Sequence, residues 1–342
     1  MLQERTLQFR GINLDIPADD VPPDMWTYGE NVFFRDLATQ RVPGYEEYYR
    51  VVGDVPIFIY PVQRKTTSYW LIVLQRGADT LVISWDGATA ATLHTYTATD
   101  GLTLDWTATD HNGVIILNNG ASTPRFWNEA GGTMDVLPNW PANVTCRSIR
   151  SFKFHLFALG LSNVTADSDY EFMWSDASAP TGGVPQTWTA GPSTDAGNAQ
   201  IASPQGFIRD AIQLRDALVI LKDFSAHLVT YVGGNFVFSQ RGLYISAGTI
   251  NARCAVTVND KLILATQDDI VITDGQSMES ICTHEVRRHI FTRSLNPDAI
   301  RYCQMVKRHI YDEVWFCYPT ESNEYCTEAA IYNTRTGEWL SL

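Results

Sequence analysis

The sequence lacks any apolar run long enough to cross a bilayer, since the longest runs, such as Leu218 to Leu221, contain only a few residues. The first eleven residues mix charged and apolar side chains and contain no apolar core of a secretory signal. The six cysteines are scattered and form no C-x-x-C pair. We therefore expect a soluble protein that is made in the cytoplasm, with reduced thiols buried in strands and without a membrane-spanning segment.

Positive charge is also scarce. Lys and Arg number 25 against 38 Asp and Glu, which leaves a formal net charge of −13. Such a surface repels nucleic-acid backbones, so the composition argues against a protein that wraps DNA or RNA, whereas a conduit through which DNA slides is compatible with it. The 342 residues and the 45% hydrophobic content are enough for a large core, in two domains or in one barrel or propeller.

The common catalytic and metal-binding motifs are missing. The sequence contains no G-x-S-x-G, no Walker loop and no G-x-G-x-x-G that opens a helix after a strand. "HEVRRH" resembles a zinc-protease motif, but His284 and His289 are five positions apart and not four. The pairs Asp268-Asp269 and Asp19-Asp20 are expected at turns or in solvent, because adjacent carboxylates on a strand point to opposite faces. We therefore predict no enzyme activity, no cofactor and no metal site.

Short strand patterns that end in turn residues are abundant. Apolar runs at 56–60, 69–74 and 80–85 are separated by the turn sequences at 76–79 and 86–87, which is typical of β-hairpins. Similar runs recur at 114–117, 152–159, 217–221, 262–265 and 314–318.

The later part of the chain contains degenerate units that resemble one another. Arg215–Gly234, Asn259–Gln276 and Asp312–Trp339 each place a polar pair, an apolar strand, a hairpin and a second strand before glycine. Units of roughly 40 to 50 residues are typical of propeller blades, and at that period the chain holds about seven of them. The sequence therefore predicts an all-β fold, namely a β-propeller built of degenerate four-stranded blades.

Two regions break the pattern. Residues 1–50 contain several prolines and few clear strands, and we expect this N-terminal segment to pack on or close the propeller formed by 51–342. Residues 175–206 form a long irregular insertion rich in Ser, Ala, Pro, Gly and Thr.

Candidate helices are few: a short one at 24–31 after two prolines, and one at 296–306, where alternation also allows a strand.

The charged residues are unevenly distributed. The stretch from Arg287 to Arg308 carries six Lys and Arg residues against the single acid Asp298, whereas no Lys or Arg occurs between Phe154 and Ile208. The basic stretch is interpreted as pairing with the acidic loop of an adjacent subunit or gripping a phosphate backbone, with a solvated mixed surface as the alternative. The candidate subunit-contact residues are Arg287, Arg288, Arg293, Arg308, Asp167, Asp169 and Asp176.

Short phrases along the chain resemble those of one protein family. They are the opening Gly11-Ile12-Asn13, then Glu30-Asn31-Val32 and Arg41-Val42-Pro43-Gly44, the central Trp174-Ser175-Asp176 with Pro180 and Trp188, and the closing "YNTRTGEW". In this order they resemble propeller-bearing tail proteins of short-tailed bacteriophages, of the tail nozzle or head-closure type.

The resemblance implies a virion structural protein that is synthesised in the host cytoplasm. Such a protein forms a cyclic homo-oligomer, with a hexamer favoured, which contributes to the DNA ejection channel and to tail assembly. Its expected partners are adaptor or portal-side tail proteins, tail fibres and genomic DNA, which passes without sequence-specific binding. A carbohydrate- or receptor-binding propeller is the alternative, because Trp85, Trp106, Trp127 and Trp140 allow it, and a glycan-cleaving enzyme comes third.

Overall fold

The computed structural model describes residues 9–35, 37–42, 47, 49–97, 105–129, 132–163, 166–180, 183–234, 236–244 and 247–341. The chain divides into two compact units. Unit I comprises residues 1–46, 212–230 and 240–342, and unit II comprises residues 47–211 and 231–239.

The N-terminal segment forms two small sheets in unit I. Strand β1 (Gly11–Ile12) pairs in parallel with β2 (Met25–Trp26), and β3 (Val32–Arg35) forms an antiparallel hairpin with β4 (Ala38–Arg41).

Six four-stranded sheets follow along the described part of the chain, and we number them blades 1 to 6. Blades 1 to 3 consist of β5 (Val55–Gln63), β6 (Ser68–Arg76), β7 (Asp79–Trp85) and β8 (Ala90–Tyr96); β9 (Thr107–His111), β10 (Val114–Asn118), β11 (Arg125–Trp127) and β12 (Asp135–Val136); and β13 (Val144–Phe152), β14 (His155–Asn163), β15 (Ala166–Trp174) and β16 (Gly197–Gln200). Blades 4 to 6 consist of β17 (Ile208–Leu214), β18 (Ala217–Lys222), β19 (Ala226–Tyr231) and β20 (Phe238–Tyr244); β21 (Ala255–Val258), β22 (Lys261–Ala265), β23 (Ile270–Thr273) and β24 (Met278–Ser280); and β25 (Gln304–Arg308), β26 (Glu313–Tyr318), β27 (Glu328–Asn333) and β28 (Glu338–Ser341).

Among the described residues, helical structure lies in the connection between blades 5 and 6 and in a turn within blade 6. The helix α1 (His284–Arg287) continues into a π-helix (Arg288–Ser294), and 3-10 helices span Pro297–Tyr302 and His309–Tyr311.

The all-β propeller of four-stranded blades that the sequence predicts is confirmed. The described residues contain six blades and not about seven, because the first part of the chain forms the two small sheets and contributes no blade. The predicted strand at 152–159 is in fact two strands joined by a turn, in which Lys153 adopts a positive φ of 54°.

The predicted helix at 24–31 is wrong. Trp26 lies in a strand and packs edge-on against Phe9 and Phe34, and Asn31 has a positive φ of 56°, which a right-handed helix does not allow. Tertiary packing of the aromatic ring therefore outweighs the helix-start signal. At 296–306 both interpretations are partly right, since a 3-10 helix precedes strand β25.

The second strand of blades 1 to 5 carries a continuous buried apolar run. Examples are residues 71–74, 114–117 and 218–221, whose side chains are all buried on both faces of the sheet. A strand that has neighbours on both sides and packing on both faces has no solvent side, so its sequence is uninterrupted by polar residues. These apolar runs are the sequence pattern that predicts the strands.

In unit II, the first strands of neighbouring blades are joined by side-chain hydrogen bonds. The amides of Ile149 and Ser151 in β13 donate to the hydroxyls of Thr107 and Thr109 in β9, at 3.3 and 3.2 Å. Alternate residues of β13 thus contact alternate residues of β9. These bonds satisfy backbone donors that no strand of their own blade pairs.

Arg150 extends these connections over the first strands of three blades. Its Nη1 donates to the carbonyl of Ala108 at 3.2 Å, and its Nε donates to the carbonyl of Ala211 at 3.2 Å. Its Nη2 lies 2.7 Å from the carboxylate of Asp210, which is buried. One guanidinium therefore ties β9, β13 and β17 together through charge-assisted bonds.

Unit I has equivalent connections. The hydroxyl of Thr257 in β21 donates to the carbonyl of Gln213 in β17 at 2.9 Å, and the ammonium of Lys307 in β25 donates to the carbonyl of Thr257 at 3.0 Å. The amide of Met305 donates to the carbonyl of Arg253 at 2.8 Å. Lys307, a member of the basic stretch, is therefore engaged in joining blades.

We predict that Arg150→Ala destabilises the protein by about 3 kcal/mol, because it leaves the buried Asp210 carboxylate without its partner. The matched control is Arg50→Ala, which removes an exposed ion pair with Glu47 and is expected to cost less than about 1 kcal/mol. Urea unfolding of both variants measures the difference, and equal losses would contradict the role assigned to Arg150.

Candidate functional site

Three of the predicted contact arginines, Arg287, Arg288 and Arg293, lie on the helical segment between blades 5 and 6. The segment is helical because Val286 and Ile290, four residues apart, are both buried. Arg287 lies 3.4 Å from the carboxylate of Asp269, and Arg288 lies 3.4 Å from the carboxylate of Glu285. Both arginines thus already have carboxylate partners in the chain.

Arg308 belongs to a cluster around Glu313, whose side chain is fully buried. The guanidinium of Arg35 binds both oxygens of Glu313, at 2.7 and 2.9 Å, and stacks over Tyr311. Arg308 lies 3.9 Å from the same carboxylate and stacks over Tyr311 and Trp315. The indole N–H of Trp315 also donates to Glu313 at 3.0 Å. Arg308 therefore helps to neutralise a buried charge.

Arg293 differs from the other three arginines. It lies in the π-helix with its side chain exposed, and among the residues that the structure describes it has no carboxylate partner. Of the predicted cations, Arg293 is thus the one whose charge is available to another molecule.

The predicted acidic residues lie in unit II. Asp169 binds Arg147 at 3.1 Å, and Asp105 approaches the same guanidinium at 3.8 Å. The carboxylate of Asp176 accepts hydrogen bonds from the amides of Asp195 at 2.9 Å and of Ala177 at 3.0 Å. The side chain of Asp167 lies outside the described residues. The described acids are therefore bound within the chain, and the arginines, which belong to unit I, are not among their partners.

The phrase Trp174-Ser175-Asp176 fastens the 175–206 segment to blade 3. The indole N–H of Trp174 donates to the carbonyl of Asp195 at 2.7 Å, and the hydroxyl of Ser175 accepts from the amide of Leu156 at 2.9 Å. Farther along the segment, Trp188 is buried against Trp140, with ring centroids 4.7 Å apart. Within this predicted irregular insertion, strand β16 completes blade 3.

A histidine lies where the segment meets blades 2 and 3. His111 is fully buried, with Nδ1 2.8 Å from the hydroxyl of Ser151 and Nε2 2.6 Å from that of Ser178. Burial first, and then the nearby His155, lower the pKa of His111 to about 4. His155 lies with Nδ1 2.8 Å from the carbonyl of Ser175.

Sequence reasoning missed these two histidines. Each is a lone histidine at a strand end beside a turn, at Asn112-Gly113 or at Lys153-Phe154, and carries no motif. The local sequence signal is the Asn112-Gly113 dipeptide, which is typical of a tight hairpin turn. In the structure both residues have a positive φ, as such a turn requires. Their convergence depends on how the two blades and the 175–206 segment pack, and this is not visible in local sequence.

A cavity of about 530 Å³ lies within unit I and is lined by residues of the N-terminal segment and blade 6, together with His289 of the helical connection. The hydroxyl of Tyr28 donates to Glu30 at 3.1 Å, and this hydrogen bond raises the pKa of Tyr28. The thiols of Cys317 and Cys326 also line the cavity, and burial raises the pKa of Cys317 to about 12. At neutral pH Cys317 is thus a protonated thiol, which is a poor nucleophile.

The acidic pair and the histidine pair predicted from the sequence can also be located in the structure. Asp269 is buried in a turn, where its carboxylate accepts from the amide of Ile270 at 2.8 Å and from the hydroxyl of Ser280 at 3.0 Å. It occupies a turn as predicted, but it is not in solvent. His284 is exposed and His289 lines the cavity described above.

The tryptophans that allowed carbohydrate binding are mostly inside the protein. Trp85, Trp106 and Trp127 are buried, and the indole N–H of Trp140 donates to the carbonyl of Val144 at 2.7 Å. A sugar stacks on an accessible ring face, so the three buried rings do not provide such a platform.

All six cysteines are free, and burial is uneven among them. Cys146 and Cys317 lie in strands as predicted, whereas Cys254, Cys282, Cys303 and Cys326 lie in connections.

Among the described residues no group of three or more His, Cys, Asp or Glu side chains is arranged to hold a metal ion. In the same part of the chain no helix is both long and apolar enough to span a membrane.

Comparison with known proteins shows no relationship at the level of sequence. No protein-family model matches the chain, and no curated protein sequence matches it either. Solved structures do match, among them the extracellular domain of a hybrid two-component system from B. thetaiotaomicron, with 12% sequence identity and a TM-score of 0.48. The match covers 86% of this chain, and the chain spans 34% of the length of that structure.

We predict that Gly197→Ala loosens the attachment of the 175–206 segment. A Cβ at this position would lie 2.4 Å from the ring of Trp174, so the ring must move, at a cost of about 1 to 3 kcal/mol. The control is Gly242→Ala, also in an outer strand, where a Cβ meets nothing within 4 Å and the change should stay within about 0.5 kcal/mol. Thermal unfolding of both variants is the measurement, and an unchanged Gly197→Ala protein would disprove the tight contact.

Proposed function

We propose that this protein is a non-enzymatic structural component of a bacteriophage tail, of the nozzle or hub type. It assembles as a cyclic homo-oligomer that forms part of the DNA ejection channel. The observation that carries the proposal is that the opening, central and closing family-like phrases occupy positions that join parts of the fold.

The opening phrase illustrates this. Gly11 lies so close to blade 6 that a Cβ would come within 2.7 Å of the carbonyl of Trp339, the tryptophan of the closing phrase. The indole N–H of Trp339 in turn donates to the carbonyl of Ile281 in the connection after blade 5 at 3.0 Å. The opening and closing phrases therefore meet, and glycine is required where they do.

The central phrase has the same character, because Trp174, Ser175 and Asp176 all bond to backbone groups of blade 3 or of the 175–206 segment. Residues with these roles make a fold rigid and perform no chemistry. Rigidity is what a channel component needs, since it transmits force and guides a polymer without reacting with it. The net charge of −13 supports the same function, because an acidic surface does not retain DNA.

Both units carry exposed groups that suit the proposed assembly. In unit I, Arg293 offers an exposed charge that has no carboxylate partner in the described part of the chain. In unit II, two turns expose apolar side chains, with Phe154 48% and Phe236 81% exposed. Aromatic side chains are enriched at protein–protein interfaces relative to the rest of the surface. In the proposed assembly these surfaces contact neighbouring copies, adaptor or portal-side proteins and tail fibres.

We expect the purified chain to form rings. Six copies of the 38.3 kDa chain give a species of about 230 kDa in mass photometry, with closed rings in negative-stain images. A species of 38.3 kDa at every concentration up to the micromolar range, also after mixing with a portal-side protein, would contradict the proposal. Binding of a glycan by that monomer would instead support the carbohydrate-binding alternative.

We also predict that Arg293→Glu weakens the ring without changing the fold. The substitution reverses an exposed charge, so the unfolding temperature should stay constant while the subunit dissociation constant rises by about tenfold. The matched control is Arg50→Glu, a charge reversal at another exposed arginine. Added salt should reduce the difference in dissociation constant between Arg293→Glu and the unmodified protein, because salt screens ion pairs between subunits. An unaltered dissociation constant for Arg293→Glu would exclude this arginine from the interface.

A further inference from the structure

The start of the 175–206 segment is held at a buried imidazole. We call His111, Ser151 and Ser178 the histidine clamp. Ser151 belongs to β13 of blade 3, His111 ends β9 of blade 2, and Ser178 belongs to the segment. All three lie in unit II, and His111 is fully buried.

The hydrogen bonds fix the neutral form of the ring. The hydroxyl of Ser178 donates to the carbonyl of Phe154 at 3.1 Å, so its oxygen receives the Nε2 proton of His111. Nδ1 of His111 then accepts the hydroxyl proton of Ser151. An imidazolium has no acceptor nitrogen, so protonation turns this second bond into a donor–donor conflict unless the Ser151 hydroxyl rotates.

The charged groups around the histidine clamp do little to stabilise a protonated, positively charged His111. On β9, Asp110 favours protonation of His111, but its carboxylate also binds Arg64. On β13, Arg150 is bound to Asp210, and Lys153 lies in the turn that follows. On β14, His155 opposes a second positive charge. In the segment, the carboxylate of Asp176 accepts hydrogen bonds from two amides.

We propose that the histidine clamp is an acid-sensitive latch, which holds residues 175–178 against blades 2 and 3 at neutral pH and releases them when His111 is protonated. Release frees the turn that carries Phe154, because the amide and hydroxyl of Ser178 both bind the Phe154 carbonyl. Acidification therefore changes the surface at this end of the two blades. The proposal does not depend on the function proposed above.

The pH dependence of latch opening follows from the difference between the pKa of His111 in the closed state and in the open state. The pKa of His111 is about 4 in the closed state, below the value of 6.5 expected for a solvated ring. A lowered histidine pKa stabilises the closed state above about pH 6.5, and this stabilisation is lost as the pH falls towards 4. These two values make the opening equilibrium constant roughly 30-fold larger at pH 5 than at pH 8.

Hydrogen exchange measured between pH 5 and pH 8 tests the latch. The reporters are the amides of Ser175 and Ser178, which donate to the carbonyls of Leu156 and Phe154. After correction for intrinsic exchange, their protection should fall roughly 30-fold from pH 8 to pH 5, while amides of β18 keep their protection. Protection that does not change with pH, or that falls equally in β18, would overturn the proposal.

Variants assign the effect to His111. His111→Gln should abolish the pH dependence, whereas the control His309→Gln, at an exposed histidine, should keep it. Ser178→Ala should lower protection at every pH and retain the dependence, because the buried ring remains. A pH dependence that survives in His111→Gln would overturn the proposal. If that variant does not fold, an NMR titration of the unmodified chain decides, since a His111 ring that titrates near 6.5 excludes the latch.

Discussion

The fold depends on hydrogen bonds between the first strands of successive blades. A blade pairs its own backbone internally, but the strand that begins it presents a row of amides and carbonyls with no strand beside them. In this protein threonine hydroxyls, a lysine and Arg150 meet those groups. Apolar packing between blades is not directional, whereas these bonds fix how far each blade slides along its neighbour.

Buried ion pairs contribute to the same connections between elements. Arg35, Arg150 and Arg308 lie against buried carboxylates, and each ion pair joins separate elements of the fold. A charge committed to such a contact is costly to move, because its partner would remain buried alone. Of the four predicted contact arginines, Arg287, Arg288 and Arg308 lie against carboxylates of the chain, whereas Arg293 has no carboxylate partner among the described residues.

The strands and the fold class were predictable because they rest on local patterns. The buried second strands are continuous apolar runs, and turns such as Gly77 and Gly87 have positive φ. The blade number was not predictable, since it depends on how the first fifty residues are used. The helix predicted at 24–31 failed because packing of Trp26 is a tertiary effect. His111 and His155 are 44 positions apart in the sequence, and only the packing of two blades brings them together.

The docking of β1 on β28 also affects how the molecule is made. These strands are separated by more than 300 residues, so during synthesis the early strand emerges long before its partner exists. Local hairpins form first, and contacts of such high sequence separation form late and slowly. The apolar side chains of the early hairpin, Phe33 and Phe34, therefore remain exposed on the nascent chain until blade 6 is complete. This interval is the period in which a chaperone, or a neighbouring nascent chain, competes most effectively for that surface.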